Sequence, residues 1–215
     1  MKRILIITCS GENELNIPEL KKENEKYIQD LYGSRGLISR IFRKPDTEVI
    51  FLMTGLGKLK SYRGLQKALS QYKPSDWIKV VNLGTAGSDL IELGESVVCG
   101  RFIDADMAFY DIEDDWMILK DSDIKISCNS RDIHVTNLDD SFQRRDGWSV
   151  VCDSEAYGQA KCCEEFGVSF GSHKFITNKF TPDYQKEKET MMPKAYETLT
   201  KIASRYIFNF YYAKG

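Results

Sequence analysis

Apolar runs of strand length recur along the chain between polar and glycine-containing stretches, at residues 4–7, 49–53, 78–83, 96–99, 124–127, 149–152 and 169–175. Runs this short, bounded by turn-forming residues, predict strands rather than helices. Between them, residues 59–72 place apolar side chains at helical spacing and stop before Pro74. Residues 154–166 are also helix-like, leading from Ala and Gln into Gly167, a favourable helix stop. Residues 18–32 and 184–206 also have a helical pattern, the second broken or started near Pro193, which a first helical turn tolerates. The acidic stretch 111–123, with Trp116, Met117, Ile118 and Leu119 inside it, predicts an exposed hairpin or connection. Together these predict an α/β fold: one domain over residues 1–215, with a central mixed, twisted sheet flanked by helices.

Composition sets the bounds. The 215 residues, 42% hydrophobic, suffice for a substantial core. Thirty Lys and Arg against 32 Asp and Glu give a net charge of -2, so no field gathers nucleic acid or an anionic membrane. No apolar stretch approaches the roughly 20 residues that cross a bilayer, and the first apolar run is too short for a secretory signal. Cys9, Cys99, Cys128, Cys152, Cys162 and Cys163 form no CxxC pair or metal spacing, and His134 and His173 are the only histidines. Buried free thiols, a reducing cytoplasm and no metal site are the expectations.

Two glycine turns carry candidate chemistry. Thr54-Gly55-Leu56-Gly57-Lys58 follows a strand and opens a helix, so its backbone N–H groups can face a ligand. Its spacing matches neither a dinucleotide fingerprint nor a phosphate loop. Val80 to Ser88 is a buried strand that breaks into Gly84-Thr85-Ala86-Gly87, where amides and a hydroxyl can approach a sugar closely.

This second segment resembles the strand and turn of methylthioadenosine/S-adenosylhomocysteine nucleosidases and purine nucleoside phosphorylases, which run N-T-G-S-A-G and R-V-G-S-C-G. The resemblance continues through Leu93-Gly94-Glu95-Ser96-Val97-Val98, Ile103-Asp104-Ala105-Asp106 and Asp153-Ser154-Glu155-Ala156, similar to the family's V-G-D-I-V-V, H-D-A-D and D-M-E-A. It implies the nucleoside phosphorylase fold and cleavage of an N-glycosidic bond without a cofactor. It also implies a small nucleoside as partner and a homo-oligomer, with residues 103–110 near the interface.

The resemblance further implies roles. Glu155 holds the ribose hydroxyls, in bonds that strengthen as the ring becomes cationic; an acid in a helix's first turn also simply complements the helix dipole. Thr85, Ala86 and Gly87 line the sugar, with Asp153 and Ser154 beside it, and Glu12 or Glu14 activates water, although either acid also suits a helix cap. Asn178, His134 and Val135 meet the base.

Asn82 stands where phosphorylases carry an arginine for phosphate, which favours water as nucleophile, though Lys58 or Arg63 could supply charge. In Lys174-Phe175-Ile176-Thr177-Asn178 an amide replaces the aspartate that protonates the base in the family's R-A-I-S-D. Ser154 replaces a methionine, and His134 a stacking phenylalanine. A phosphorylase and a catalytically impaired nucleoside-binding protein therefore stand as the alternatives.

Overall fold

The computed structural model describes residues 2–9, 39–44, 46–106, 116–118, 124–132 and 147–212. The expected helix at 18–32, and Glu12, Glu14, His134 and Val135, lie outside the described residues.

The described strands are β1 (Arg3–Cys9), β2 (Ser39–Lys44), β3 (Thr47–Met53), β4 (Trp77–Gly87), β5 (Ser96–Cys99), β6 (Arg101–Asp104), β7 (Trp116–Ile118), β8 (Ile126–Ser130), β9 (Ser149–Asp153) and β10 (Ser169–Asn178). The helices are α1 (Lys58–Leu69), α2 (Ala156–Glu165) and α3 (Tyr184–Tyr212). All ten strands join one sheet in the order β2-β3-β1-β4-β9-β8-β6-β7, with β10 pairing β4 and β5. Pairings of β1 with β3 and β4, and of β4 with β10, are parallel, while β2–β3, β4–β9, β5–β10 and β6–β7 are antiparallel. The sheet is mixed and helix-flanked, as the patterning predicts.

Strands buried on both faces explain the uninterrupted apolar runs. Along β1, Ile4 and Ile6 join the core under α1 and α2, whereas Leu5 and Ile7 join the core under α3. On β10, Ile176 and Phe175 divide in the same way. Helices α1 and α2 thus cover one face and α3 the other.

Several boundaries differ from expectation. Strand β4 runs on through the glycine turn to Gly87, and β10 to Asn178, because these segments pair with each other up to their ends. Helix α3 neither breaks nor starts at Pro193 but passes through it. Pro193 is exposed, so the backbone bond it forfeits lies on the solvent side while Ala195, Leu199 and Ala203 pack on the sheet. Within the acidic stretch, 116–118 forms β7, antiparallel to β6. All six cysteines are free and buried, as expected. No helix of the described residues is long and apolar enough to cross a membrane.

Candidate functional site

Strands β4, β9 and β10 end together. Gly87 pairs with Cys152 at the tips of β4 and β9, and Asn178 pairs with Gly87 across a register shift in β10. At this junction of carboxyl ends, where open α/β sheets characteristically hold ligands, lies a cavity of about 270 Å³. Thr85, Ala86, Gly87, Asp153, Ser154, Glu155 and Asn178 all line it, together with Asn82, Gly84, Lys174, Phe180 and Lys188. Leu56 stands at its edge, 68% exposed.

Glycine is required at 87 by close approach. A Cβ there would come within 2.8 Å of both Asn178 Nδ2 and Phe180 Cε1. The turn beyond is pinned by Ser88, whose N–H donates to the Asn178 carbonyl at 3.0 Å. The Ser88 hydroxyl donates to the Val150 carbonyl at 2.7 Å and accepts from the N–H groups of Leu90 and Ile91.

Glu155 immediately precedes α2 and is 7% exposed. Its side chain makes no cap on its own helix; that task falls to Asp153, which accepts the Ala156 N–H at 2.9 Å. Glu155 Oε1 instead accepts the Gly57 N–H at 3.5 Å, at the entrance to α1. The dipole explanation suggested by its position is therefore carried by its neighbour.

Asp153 is fully engaged. Besides Ala156, it accepts the Ser130 hydroxyl at 2.6 Å and forms an ion pair with Lys174 at 2.6 Å, both side chains 1% exposed. Burial alone would raise the Asp153 pKa, but the Lys174 charge and these hydrogen bonds outweigh it and hold the carboxyl below the ordinary value. Burial likewise works against the Lys174 ammonium, and the charges of Asp153 and Glu155 reverse it, keeping lysine protonated. Cys152 is a neutral thiol on the cavity wall, its pKa pushed up by burial and by Asp153.

The first glycine turn is also occupied from within. Lys58 N–H donates to Asp132 at 2.9 Å, and the Lys58 ammonium lies between Asp104 and Asp106, the latter at 2.7 Å. Arg131 holds Asp106 from another side at 3.1 Å. Arg63 is exposed on α1 and takes no part in the cavity lining. Asn82 accepts the Ser172 hydroxyl at 2.9 Å and donates to Thr8 at 3.5 Å, inside a buried polar group that also contains Gln159 and Thr54.

Sequence reasoning assigned no cavity role to Lys174, Phe180 or Lys188. A lysine within the apolar strand β10 was the available signal for the first; the other two follow β10 without any local mark.

The chain has the fold of methylthioadenosine/S-adenosylhomocysteine nucleosidases and of futalosine hydrolase. Among solved structures it is similar to a methylthioadenosine nucleosidase of Helicobacter pylori, an aspartate-to-asparagine variant with 5'-methylthioadenosine in its active site. The two share a TM-score of 0.74 and 16% identity over 97% of this chain and 99% of that one. It is also similar to the futalosine hydrolase of Helicobacter pylori strain 26695, at a TM-score of 0.73 and 15% identity over 94% and 96% of the two chains. A third likeness is to S-adenosylhomocysteine nucleosidase of Streptococcus pyogenes in complex with 5-methylthiotubericidin, at 0.66 and 16% over 92% and 94%. No protein-family model matches the chain, and no curated protein matches it.

Proposed function

We propose that the chain is a nucleosidase that hydrolyses the N-glycosidic bond of a purine-type nucleoside. The observation that carries this reading is the buried carboxylate of Glu155 lining one cavity with the 84–87 turn. A carboxylate so placed accepts two ribose hydroxyls, and these bonds tighten as the sugar acquires oxocarbenium character. Thr85, Ala86 and Gly87 pack beside the sugar with Ser154, Asp153 fixes the start of α2, and Glu12 or Glu14 activates water. Asn178 meets the base, with His134 and Val135 completing that side.

Hydrolysis is favoured over phosphorolysis because Asn82 stands where phosphorylases carry an arginine and the donors of the first glycine turn are engaged. Gly57 N–H, Lys58 N–H and the Lys58 ammonium are each taken by a carboxylate of this chain. The three structural neighbours are a methylthioadenosine nucleosidase, a futalosine hydrolase and an S-adenosylhomocysteine nucleosidase, all named for hydrolysis. The resemblance extends the proposal to a homo-oligomer, and the six free cysteines extend it to a reducing cytoplasm.

Asn178 supports a second reading, a pocket that binds without turnover, because an amide delivers no proton to a departing base. Base release from adenosine, inosine and methylthioadenosine, with and without phosphate, decides among these. The expected result is release in water alone that falls about 100-fold or more in Glu155→Gln, the order expected when a transition-state contact is removed. Strict phosphate dependence would make the chain a phosphorylase. Thermal stabilisation by nucleosides without any release would make it a binding protein.

A further inference from the structure

Two lysines, Lys174 and Lys188, line the cavity, and Lys174 and the cations around the first glycine turn are neutralised from within the chain. Lys174 is paired with Asp153, Lys58 with Asp104 and Asp106, and Arg131 with Asp106. Lys188 also lines the cavity, and among the described residues no acid pairs with it. Its neighbours on α3 are committed elsewhere: Glu187 accepts the Lys179 N–H at 2.7 Å, and Glu189 accepts from Gln185 at 3.5 Å. Lys179 itself is satisfied by the carbonyls of Ile91 at 2.8 Å and Asp89 at 3.3 Å.

A lysine facing bulk water needs no partner. Lys188 differs because it is only partly exposed and shares a concave wall with Phe180 and Leu56, whose apolar surface reduces screening. Glu155 and Lys188 approach this cavity from helices on opposite faces of the sheet. The wall therefore offers a carboxylate that can accept hydroxyls, at Glu155, and an ammonium with no acid paired to it among the described residues, at Lys188. A neutral nucleoside uses only the first.

We infer that the ligand of this cavity carries an anionic group, a carboxylate or phosphate, which Lys188 binds, so that acidic nucleosides are preferred to neutral ones. This rests on the nucleoside reading above, with the diol held at Glu155 and the anion borne elsewhere on the same molecule.

Calorimetric titration tests it with adenosine and inosine, their 5'-carboxylic acids and 5'-monophosphates, N6-succinyladenosine and inorganic phosphate, at low and high salt. At least one acidic nucleoside is expected to bind about tenfold more tightly than its neutral parent, the worth of one charge-assisted hydrogen bond. That ratio should shrink with salt, fall to about one in Lys188→Ala, drop below one in Lys188→Glu and persist in Lys188→Arg. The 5' and base-linked acids report which end of the nucleoside bears the anion.

Acids that bind no better than their parents, or a preference that survives Lys188→Ala, overturn the inference and leave the nucleoside reading standing. Inorganic phosphate that binds through Lys188 and accelerates cleavage of neutral nucleosides also overturns it, because the anion would then be a co-substrate. If no nucleoside of either kind binds, the nucleoside reading fails and this inference fails with it.

Discussion

Asn178 Nδ2 donates to the Lys179 carbonyl at 3.1 Å, and Oδ1 accepts the Thr177 hydroxyl at 3.1 Å. One amide hydrogen and one lone pair are left for a base, so the side chain can orient a leaving group without protonating it. Asn178→Asp should raise the rate of base release by about 10- to 1000-fold, since a positioned general acid contributes on the order of 10²–10⁴. The gain should disappear as pH rises through the pKa of the new carboxyl, which a pH–rate profile of both proteins would reveal; an unchanged rate would remove Asn178 from the base contact. The residues legible in advance, Glu155, Asn178, Thr85 and Gly87, lie within a few positions of a strand end, so one local motif carries both side chain and location. Lys188 was not legible, because only the docking of α3 against β10 brings it to the cavity, and Phe180, two residues past the end of β10, carries no local mark. Lys174 is a charge in an apolar strand, yet nothing local names Asp153 as its partner.

At the scale of elements, α1 and α2 meet at Gly158, where an added Cβ would run into the Lys58 carbonyl and come within 3.0 Å of the Ser61 hydroxyl. Ser61 Oγ bridges the same contact, donating to the Lys58 carbonyl at 3.0 Å and the Glu155 carbonyl at 3.1 Å. Gly158→Ala is expected to cost about 1–3 kcal/mol, the usual penalty of overpacking. Because the contact also sets the spacing between Glu155 and Gly57, nucleoside affinity should fall with it. Urea unfolding and calorimetric binding on the same variant check both parts. Strands buried on both faces announced themselves as apolar runs. Three strands did not: β2, Ser-Arg-Ile-Phe-Arg-Lys, carries charges, β6 has four residues with a charge at each end, and β7 has only three residues.

For the whole molecule, the Asp153–Lys174 pair links β9 to β10 inside the protein. Asp153→Asn leaves a buried ammonium without its counter-charge and should destabilise the fold by about 3–5 kcal/mol near neutral pH. The sign of the pH dependence follows from the lowered Asp153 pKa. Its contribution is complete above the unfolded value of 3.8 and is lost as pH falls through the folded one. The raised Lys174 pKa adds a contribution complete below 10.5 and lost as pH rises through the folded value. Urea midpoints across the acid range should therefore converge for native protein and Asp153→Asn, and parallel curves would contradict this account.

Six sealed sulfhydryls give the chain a built-in gauge of its own opening. A chromogenic disulfide reagent should label few of them under native conditions and all six in concentrated urea, because burial hinders access and holds Cys152, Cys162 and Cys163 in the unreactive protonated form. A molecule seated in the cleft should slow that labelling, so screening for retarded colour development would find ligands before any reaction is known.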